Sequence, residues 1–299
     1  MSSEKNMLII AGVHKSATTS LYEYLMLHKD ICCGKKKEIH YYTPLRYEKN
    51  IDSLDSYLQQ FSQCTEKQYF LEASPSYLYG KSVIAQKIHN DFKNARIIMI
   101  LREPTERFIS FFRFTKSDFR LNKDIEFRDF IDKSYALKDA VDTDDLYYRT
   151  FREGEYSKYL EEWFNVFGDS LKVIFFDDIK ENPQNIIFDL CRWLHISDNL
   201  YKDLTIFEIK NKTKASRFKS IYKVASFINM RFELFFRKHP SVKKTLYKLY
   251  FLFNEDKTKD NLQSSDIDYL RTLYADENKK LAILLKKHGY TKLPKWLDP

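Results

Sequence analysis

The sequence predicts an α/β protein in which helices cover both faces of a central parallel sheet, giving three layers. Three short and mainly apolar runs, at residues 7–12, 96–101 and 171–176, have the length and composition of buried strands. A fourth and shorter strand is predicted at 70–72. Helical patterns separate these runs, and such alternation implies right-handed crossovers between parallel strands.

The helices are predicted from apolar residues that recur at steps of three and four. The first of them follows the opening strand, where residues 21–28 show this spacing. Pro104 is well placed at the start of a helix, since its missing N–H is not needed there. Further helices are predicted at 82–92, 107–119, 155–167, 183–194 and 266–288.

A single domain is expected for residues 1–299, with its core at 7–218 and a helical extension at 219–299. Of the 299 residues 43% are hydrophobic, which is enough to bury a core. The stretch 121–152 is polar and poorly periodic, and it predicts a long excursion or lid. Residues 221–253 mix basic and aromatic side chains, which favours a helix packed on the domain and, second, a helix on an anionic membrane surface.

The net charge of +8 favours anionic partners. Nucleotide phosphates, acidic glycans, nucleic acid and an anionic membrane surface all fit this sign. No RRM, OB or helix-turn-helix pattern is present, and the basic residues are scattered, so a nucleic-acid partner is not expected.

Four cysteines in a chain of this length predict no disulfide framework. Cys32 and Cys33 are adjacent, Cys64 and Cys191 are isolated, and the absence of a C-x-x-C pair argues against a zinc site. We therefore expect a reducing, cytoplasmic setting and no metal. No apolar run has the roughly 20 residues of a membrane helix, so the protein is expected to be soluble or at most peripheral to a membrane.

An anion-binding turn is predicted at residues 12–20, between the first strand and the first helix. Backbone N–H groups and the helix N-terminus converge in such a turn, and Lys15 adds a mobile positive charge. The alternative is that Thr18 or Thr19 caps the helix and Lys15 is solvated. Lys15 lies three residues after Gly12, which is not Walker A spacing, so a magnesium-dependent kinase or NTPase is disfavoured.

The same turn resembles the first signature of the sulfotransferases that use 3′-phosphoadenosine 5′-phosphosulfate (PAPS), G-x-x-K-[SG]-[GA]-T-[TS]. Ala17 replaces a frequent glycine of that pattern, and its methyl group is tolerable only if φ there is not positive. The resemblance implies a P-loop-like three-layer fold. It also implies contacts to the 5′ end of the nucleotide from Lys15, Ser16, Ala17, Thr18, Thr19 and Ser20.

A second signature of that family, a strand ending in Arg followed by P-x-x-R-x-x-S, matches residues 102–110. The resemblance implies that this segment holds the 3′-phosphate. Arg102 offers a bidentate contact to a phosphate, and Ser110 offers a hydroxyl two helical turns later. The alternatives are an ion pair of Arg102 with Glu103 or Glu106, and a helix-surface role for Ser110.

Three more segments resemble the family. Residues 72–77 are similar to its E-x-[ST]-P-x-Y turn, although Ala73 replaces the Lys common in heparan-type enzymes. Residues 154–163 are similar to its G-x-Y-x-x-x-L-x-x-W helix. Residues 211–218 resemble a late basic loop that closes over the nucleotide, which implies contacts from Lys214 and Arg217, although a solvated basic turn fits nearly as well.

The proton acceptor is predicted in residues 35–42, which resemble the K-E-x-H-[FY]-[FY] segment of carbohydrate sulfotransferases. Glu38 is our candidate for the general base, with His40 as the alternative base or orienting partner. In an extended strand the two side chains point to the same side. Burial of Glu38 by Tyr41 and Tyr42 would raise its pKa toward a useful value. The alternative is an ion pair of Glu38 with a neighbouring lysine.

The sequence therefore predicts a PAPS-dependent sulfotransferase (EC 2.8.2 type), with Lys15, Glu38 and His40 as catalytic residues. Lys15 would neutralise the charge of the leaving phosphate oxygen. The expected acceptor is a hydroxyl of a carbohydrate or glycolipid. Alternatives are a sulfotransferase for phenols or small alcohols and, with less support, a P-loop kinase or a basic nucleic-acid-binding protein.

Overall fold

Five parallel strands form the central sheet, in the order β2-β3-β1-β4-β5. The computed structural model describes residues 5–64, 69–202, 215–232, 235–236, 239–256 and 262–298. Within them, the strands of the sheet are β1 Met7–Gly12, β2 Ile31–Cys33, β3 Tyr69–Ala73, β4 Arg96–Leu101 and β5 Leu171–Phe175. The predicted α/β fold with a parallel sheet is confirmed.

The central strand β1 is paired on both sides, with Ile10 opposite Ala73 of β3 and opposite Ile98 of β4. The chain is still held to β4 beyond β1, because the Val13 N–H donates to the Ile100 carbonyl at 3.1 Å. In a parallel sheet the carboxyl ends of neighbouring strands lie at one edge, where open α/β sheets bind their ligands. The loops after β1 and β4 therefore begin side by side.

Helices lie on both faces of this sheet. Alternate residues of β1 enter opposite cores, with Ile9 packing in one cluster and Leu8 in the other. The helices are α1 Thr18–Leu25, α2 Leu54–Leu58, α3 Lys81–Asp91, α4 Pro104–Ser117, α5 Phe127–Ala136, α6 Leu146–Arg152, α7 Ser157–Phe167, α8 Phe176–Glu181, α9 Pro183–Leu194, α10 Asn199–Lys202, α11 Lys219–Arg231, α12 Pro240–Asn254 and α13 Ser264–Lys287. Side chains of α3 and α7 fill one core, and those of α1 and α9 fill the other. The three layers are therefore present as predicted.

The chain divides into two compact units. The first consists of Met1–Arg107, Arg152–Asn211 and Thr272–Pro299 and contains the sheet. The second consists of Phe108–Phe151 and Lys212–Arg271. It includes a short antiparallel pair, β6 Ala215–Ser216 with β7 Glu255–Asp256. The predicted core at 7–218 contributes to both units, and the single-domain organisation stays a prediction.

The stretch 121–152, which was predicted as a long excursion or lid, contains the helices α5 and α6, and the sequence pattern did not predict them. One face of α5 is buried through Phe127, Phe130, Ile131 and Ser134, which follow helical spacing. The Phe130 ring lies 5.4 Å from that of Phe108. The apolar face is only four residues wide between charged neighbours, which explains why the sequence pattern missed it.

One pair of cysteines corrects the expectation of a reducing setting. Cys32 and Cys64 form a disulfide with a Cα–Cα distance of 5.7 Å, and Cys33 and Cys191 are not part of a disulfide. A structural disulfide is typical of oxidising compartments, so the cysteine content does not support a cytoplasmic location. None of the described helices is long and apolar enough to cross a membrane.

Gly154 lies at a close approach that positions α7 near the sheet edge. A Cβ atom on Gly154 would lie 2.8 Å from the hydroxyl oxygen of Tyr274, which is fully buried. Two residues later, the Tyr156 hydroxyl donates to the carbonyl of Arg102 at 2.8 Å. The buried pair Arg46–Glu153, at 2.8 Å, fixes the residue before Gly154.

We predict that Gly154→Ala lowers the free energy of unfolding by about 1–3 kcal/mol, because the new methyl group overpacks a site that cannot expand. Chemical denaturation of the purified variants measures this change. Tyr274→Leu provides the control, since it makes room for the methyl group. If the double variant loses as much as the two single losses added together, the two residues are not coupled and this account of Gly154 is wrong.

Candidate active site

The chain turns sharply between β1 and α1, where the anion-binding turn was predicted. A Cβ atom on Gly12 would lie 3.0 Å from the Met99 sulfur and 3.1 Å from the Leu78 Cβ, so glycine allows the close approach of β1 to β4. Lys15 and Ala17 have φ values of 69° and 61°, in the left-handed region. Left-handed residues within a turn aim successive N–H groups to one side, which makes an anion-binding concavity.

The N-terminus of α1 adds to this positive potential. Ala17 is the N-cap residue, and its methyl group accepts no hydrogen bond from the first-turn N–H groups. The first turn contains no acidic residue. An anion at this position would receive the backbone donors and the positive end of the helix dipole.

Ala17 also corrects an expectation about strain. An alanine was expected to fit here only if φ is not positive, whereas φ is 61°. An L-residue with a Cβ in this region is strained by roughly 1–2 kcal/mol. The alanine is therefore held in an unfavourable conformation by the surrounding turn.

Arg102 follows β4 and contacts the turn directly. Its Nη1 donates to the Lys15 carbonyl at 3.0 Å, and its guanidinium lies 4.5 Å from the centre of the Phe176 ring. The alternative ion pair is partly realised, since Nη2 lies 3.3 Å from the Glu106 carboxylate. Glu103 does not pair with Arg102 but caps α4 by accepting from the backbone N–H of Thr105 and Glu106.

Some buried side-chain atoms near this edge have no hydrogen-bond partner within the part of the chain that the structure describes, and two of them lie on the predicted phosphate-binding segments. They are the Ser16 hydroxyl oxygen in the turn and the Nε of Arg102. Buried donors of this kind are costly unless something satisfies them. Donors on both segments fit an anion with several oxygens, which is what the sequence predicted for them.

The loop with Glu38 and His40 is not the extended strand that was expected. Both residues have positive φ, 61° and 56°, so the backbone coils back on itself. The side chains meet nevertheless, with His40 Nε2 lying 3.6 Å from a Glu38 carboxylate oxygen. The prediction that they share one side is correct, but the turn and not strand alternation is the reason.

The expected rise in the pKa of Glu38 is contradicted. Burial does raise this pKa, but the hydrogen bond with His40 and the charge of Lys37 outweigh it, so the pKa lies well below its ordinary value. Lys37 Nζ lies 2.5 Å from the carboxylate. The imidazole of His14 lowers the pKa further, which indicates that the 12–20 turn and Glu38 lie near each other.

Tyr41 and Tyr42, which were expected to bury Glu38, also contact other parts of the chain. The ring of Tyr41 stacks on that of Tyr57 at 4.6 Å. The Tyr42 hydroxyl donates to Asp91 at 2.9 Å. Tyr42 belongs to the buried core and Tyr41 packs against it, so the burial of Glu38 by these rings stays a prediction.

A buried carboxylate, the glutamate of the E-x-[ST]-P-x-Y turn, fixes the loop of residues 38–42, which we call the base loop. Glu72 is 1% exposed and accepts hydrogen bonds from the hydroxyls of Tyr57, Ser74 at 2.7 Å and Tyr77 at 2.6 Å. Because Ser74 and Tyr77 donate to Glu72, their oxygens accept from the loop. Ser74 accepts from the His40 N–H at 3.0 Å, and Tyr77 accepts from the Tyr42 N–H at 3.3 Å.

The His40 ring is held on its other side by two hydroxyls. Nδ1 lies 3.1 Å from the Ser76 oxygen and 3.3 Å from the Thr43 oxygen. The E-x-S-P-x-Y pattern of residues 72–77 marked this turn, but nothing in the sequence showed that its hydroxyls orient His40. The imidazole is thus positioned between the Glu38 carboxylate and a hydroxyl pair.

Three predicted nucleotide contacts are not tested by the structure. Ser110 is half-buried on α4 and belongs to the second unit. Arg217, also in the second unit, is exposed, and its backbone N–H donates to the Asn254 carbonyl at 2.8 Å. Lys214 lies outside the described residues. The roles of these three residues stay predictions.

Comparison with known proteins agrees with the fold. A family model of the sulfotransferase domain matches residues 5–274. A sulfotransferase of Alicyclobacillus acidocaldarius has a similar structure, with a TM-score of 0.67 at 21% identity over 98% of both chains. This likeness shows the fold.

Two curated relatives match this chain over only part of their own length. A membrane-associated sulfotransferase of Dictyostelium discoideum is 32% identical over 38% of this chain and 24% of its own length. A bifunctional heparan sulfate N-deacetylase/N-sulfotransferase of Drosophila melanogaster is 23% identical over 97% of this chain and 27% of its own length. The chain thus spans about a quarter of these two relatives.

The match over residues 5–274 covers most of the chain, so this protein belongs to the sulfotransferase-domain family. The resemblance inferred from the two phosphate-binding signatures is confirmed.

We predict that Ala17→Gly raises the free energy of unfolding by about 0.5–1 kcal/mol, because glycine adopts the left-handed conformation without the Cβ strain. Thermal and urea unfolding measure the change. Ala275→Gly, at an exposed position within α13, is the matched control and should lose about 1 kcal/mol. Equal losses for both variants would contradict a strained Ala17.

Proposed function

We propose that this protein transfers a sulfuryl group from PAPS to a hydroxyl of a carbohydrate or glycolipid acceptor. The observation that supports this most strongly is the contact of Arg102 with the Lys15 carbonyl, at 3.0 Å, between the two predicted phosphate-binding segments. PAPS has an anionic group at each end of its adenosine. The turn at residues 12–20 would hold the 5′ end, and Arg102 with Ser110 would hold the 3′-phosphate.

Unpartnered donors support the fit to this nucleotide. The Ser16 hydroxyl and Arg102 Nε would each gain a charge-assisted hydrogen bond from a phosphate oxygen. Thr18, Thr19 and Ser20 begin α1 and would add donors from its first turn. Lys214 and Arg217 are further proposed contacts to the nucleotide.

The reaction requires one bond to form and one to break. The acceptor oxygen bonds to sulfur, the bond from sulfur to the 5′-phosphate oxygen breaks, and 3′-phosphoadenosine 5′-phosphate (PAP) leaves. The acceptor's proton passes to a base, for which we assign the Glu38 carboxylate. The Lys15 ammonium neutralises the charge that develops on the leaving oxygen.

The state of Glu38 fits a base that is ready at neutral pH. Its lowered pKa keeps it ionised, at the cost of weak basicity while Lys37 and His40 are bound to it. Displacement of Lys37 by an anionic or polyhydroxylated acceptor would raise the pKa and strengthen the base. His40 is the alternative base, and its contact with Ser76 at 3.1 Å orients the ring for either role.

A sugar hydroxyl is the acceptor that the site favours. Lysines 35–37 lie beside the base and attract an anionic chain such as an acidic glycan. The Drosophila relative is named for heparan sulfate, a glycan of this kind. A phenol or small alcohol is the second candidate, and incubation with labelled PAPS and a panel of glycans and phenols separates the two.

We predict that Glu38→Gln and Lys15→Ala each lower kcat by at least about 100-fold, because they remove the base and the charge on the leaving group. Transfer of label from PAPS measures turnover, and isothermal titration with PAP measures binding. PAP affinity should change little in Glu38→Gln. The same titration with ATP should show much weaker binding.

A double variant tests the assignment of the base. Full activity in Glu38→Gln combined with His40→Ala would reject both candidates. Lys93→Ala, at an exposed position away from the site, is a control that should leave turnover and PAP binding unchanged.

The pH profile gives an independent test. Because Lys37 lowers the pKa of Glu38, Lys37→Met should raise that pKa toward its ordinary value. The fall of kcat/KM on acidification should then move to higher pH in Lys37→Met, within the range of about pH 4 to 7 where carboxylates and histidines titrate. An acid limb at the same pH in both proteins would show that Glu38 does not control it.

A further inference from the structure

An apolar surface on the second unit is exposed. In α11 the outward residues Ile221, Val224, Phe227 and Ile228 follow helical spacing, and Phe227 is 62% exposed. In α12 the corresponding residues are Val242, Leu246, Leu249, Leu252 and Phe253, the last two being 74% exposed. We call these two faces together the α11–α12 surface. Contiguous apolar surface of this kind marks an interaction site.

These helices are folded against each other, so their outward faces are a distinct side of a built unit. At their base, the Asn254 side chain accepts from the Phe218 N–H at 2.7 Å, and β6 pairs with β7 beside it. Phe251 is 8% exposed and packs on the Tyr247 ring at 4.7 Å. The favoured prediction, a helix packed on the domain, does not account for the exposure of the outward faces.

The charge of the protein is concentrated in this same segment. Residues 216–254 contain nine Lys and Arg and one Glu, a net charge of +8, whereas the rest of the chain contains 41 residues of each sign. Neither α11 nor α12 contains an acidic residue. Lys219, Lys223, Lys243 and Lys248 are all exposed.

We propose that the α11–α12 surface binds an anionic phospholipid bilayer. Apolar side chains would enter the boundary between headgroups and acyl chains, and the lysines would lie at the level of the lipid phosphates. The choice of a membrane as the partner rests on both the apolar side chains and the lysines. A nucleic acid would use the lysines but leave Leu252 and Phe253 in water, and a second copy would bring two segments of charge +8 together.

Docking of this kind would bring the protein to a membrane surface, where glycolipids are present. The proposal itself does not depend on the transfer activity, because vesicle binding is measured without PAPS or acceptor.

Vesicle co-sedimentation of the full chain tests the proposal, using phosphatidylcholine vesicles with and without phosphatidylglycerol. We expect pelleting with the anionic vesicles, weakened by added salt, and much less with the neutral ones. A variant with Lys219, Lys223, Lys243 and Lys248 changed to Gln should bind about 100-fold more weakly. A variant with Phe227, Leu252 and Phe253 changed to Gln should lose at least about tenfold.

Matched controls carry the same substitutions elsewhere on the surface. Val83, Val141 and Ile283, all more than half exposed, are changed to Gln in one control. Lys93, Lys279, Lys292 and Lys295, all exposed, are changed to Gln in the other. Both should pellet like the wild type, and every variant is checked for its thermal unfolding midpoint and for PAP binding.

Four outcomes would overturn the proposal. They are no pelleting with anionic vesicles, equal pelleting with neutral ones, equal losses in the surface and control variants, and tighter binding of an oligonucleotide through the same four lysines. A dimer in sedimentation analysis that the apolar variant abolishes and vesicles do not compete with would assign the surface to a second copy instead. If the wild-type protein pellets with anionic vesicles but does not bind PAP, the result counts against the proposed transferase function and not against the membrane proposal.

Discussion

The hydrogen bond from Arg102 to the Lys15 carbonyl, at 3.0 Å, joins the two halves of the candidate site. It depends on the order of the sheet, because β1 and β4 are neighbours and their following loops start at the same edge. Gly12 allows β1 and β4 to approach each other closely, and the Tyr156 hydroxyl donates a hydrogen bond to the Arg102 carbonyl. The positive turn and the guanidinium are thus fixed before any ligand arrives, which is the condition for tight anion binding.

A second constraint acts on the base loop from within the protein. Glu72 is buried, and burial raises its pKa. Three hydroxyls donate hydrogen bonds to it, and two of them, those of Ser74 and Tyr77, accept hydrogen bonds from the backbone N–H groups of His40 and Tyr42. The buried Glu72 carboxylate therefore helps to position the loop that carries the Glu38 carboxylate. Glu38 remains ionised because Lys37 and His40 oppose the effect of its own burial.

The sequence was most informative where one local property decides the structure. Strands β1 and β4 match their predicted bounds because short apolar runs have few alternatives. The contacts that failed are non-local or depend on backbone angles. No sequence pattern shows that Cys32 meets Cys64, that Ala17 has a positive φ, or which of three lysines reaches Glu38. Short strand β2 and helix α5 were missed because their apolar faces are only a few residues long.

The solvent exposure of the apolar residues in α11 and α12 could not be predicted from the sequence either. The basic and aromatic pattern of residues 221–253 predicted helices equally well for a packed or an exposed position, and only the fold shows that Leu252 and Phe253 face outward. The candidate phosphate-binding residues were predicted because a strand, a turn and a helix follow one another in a fixed order, and the proposed chemistry depends on that order.

A crystal structure of the protein with PAP bound tests the central claim most directly. We predict that oxygens of the 5′-phosphate accept hydrogen bonds from the backbone N–H groups of residues 15–19 and from the Ser16 hydroxyl. Arg102 should lie within about 3 Å of the 3′-phosphate. A nucleotide bound elsewhere, or one that leaves both the turn and Arg102 without contact, would contradict the account.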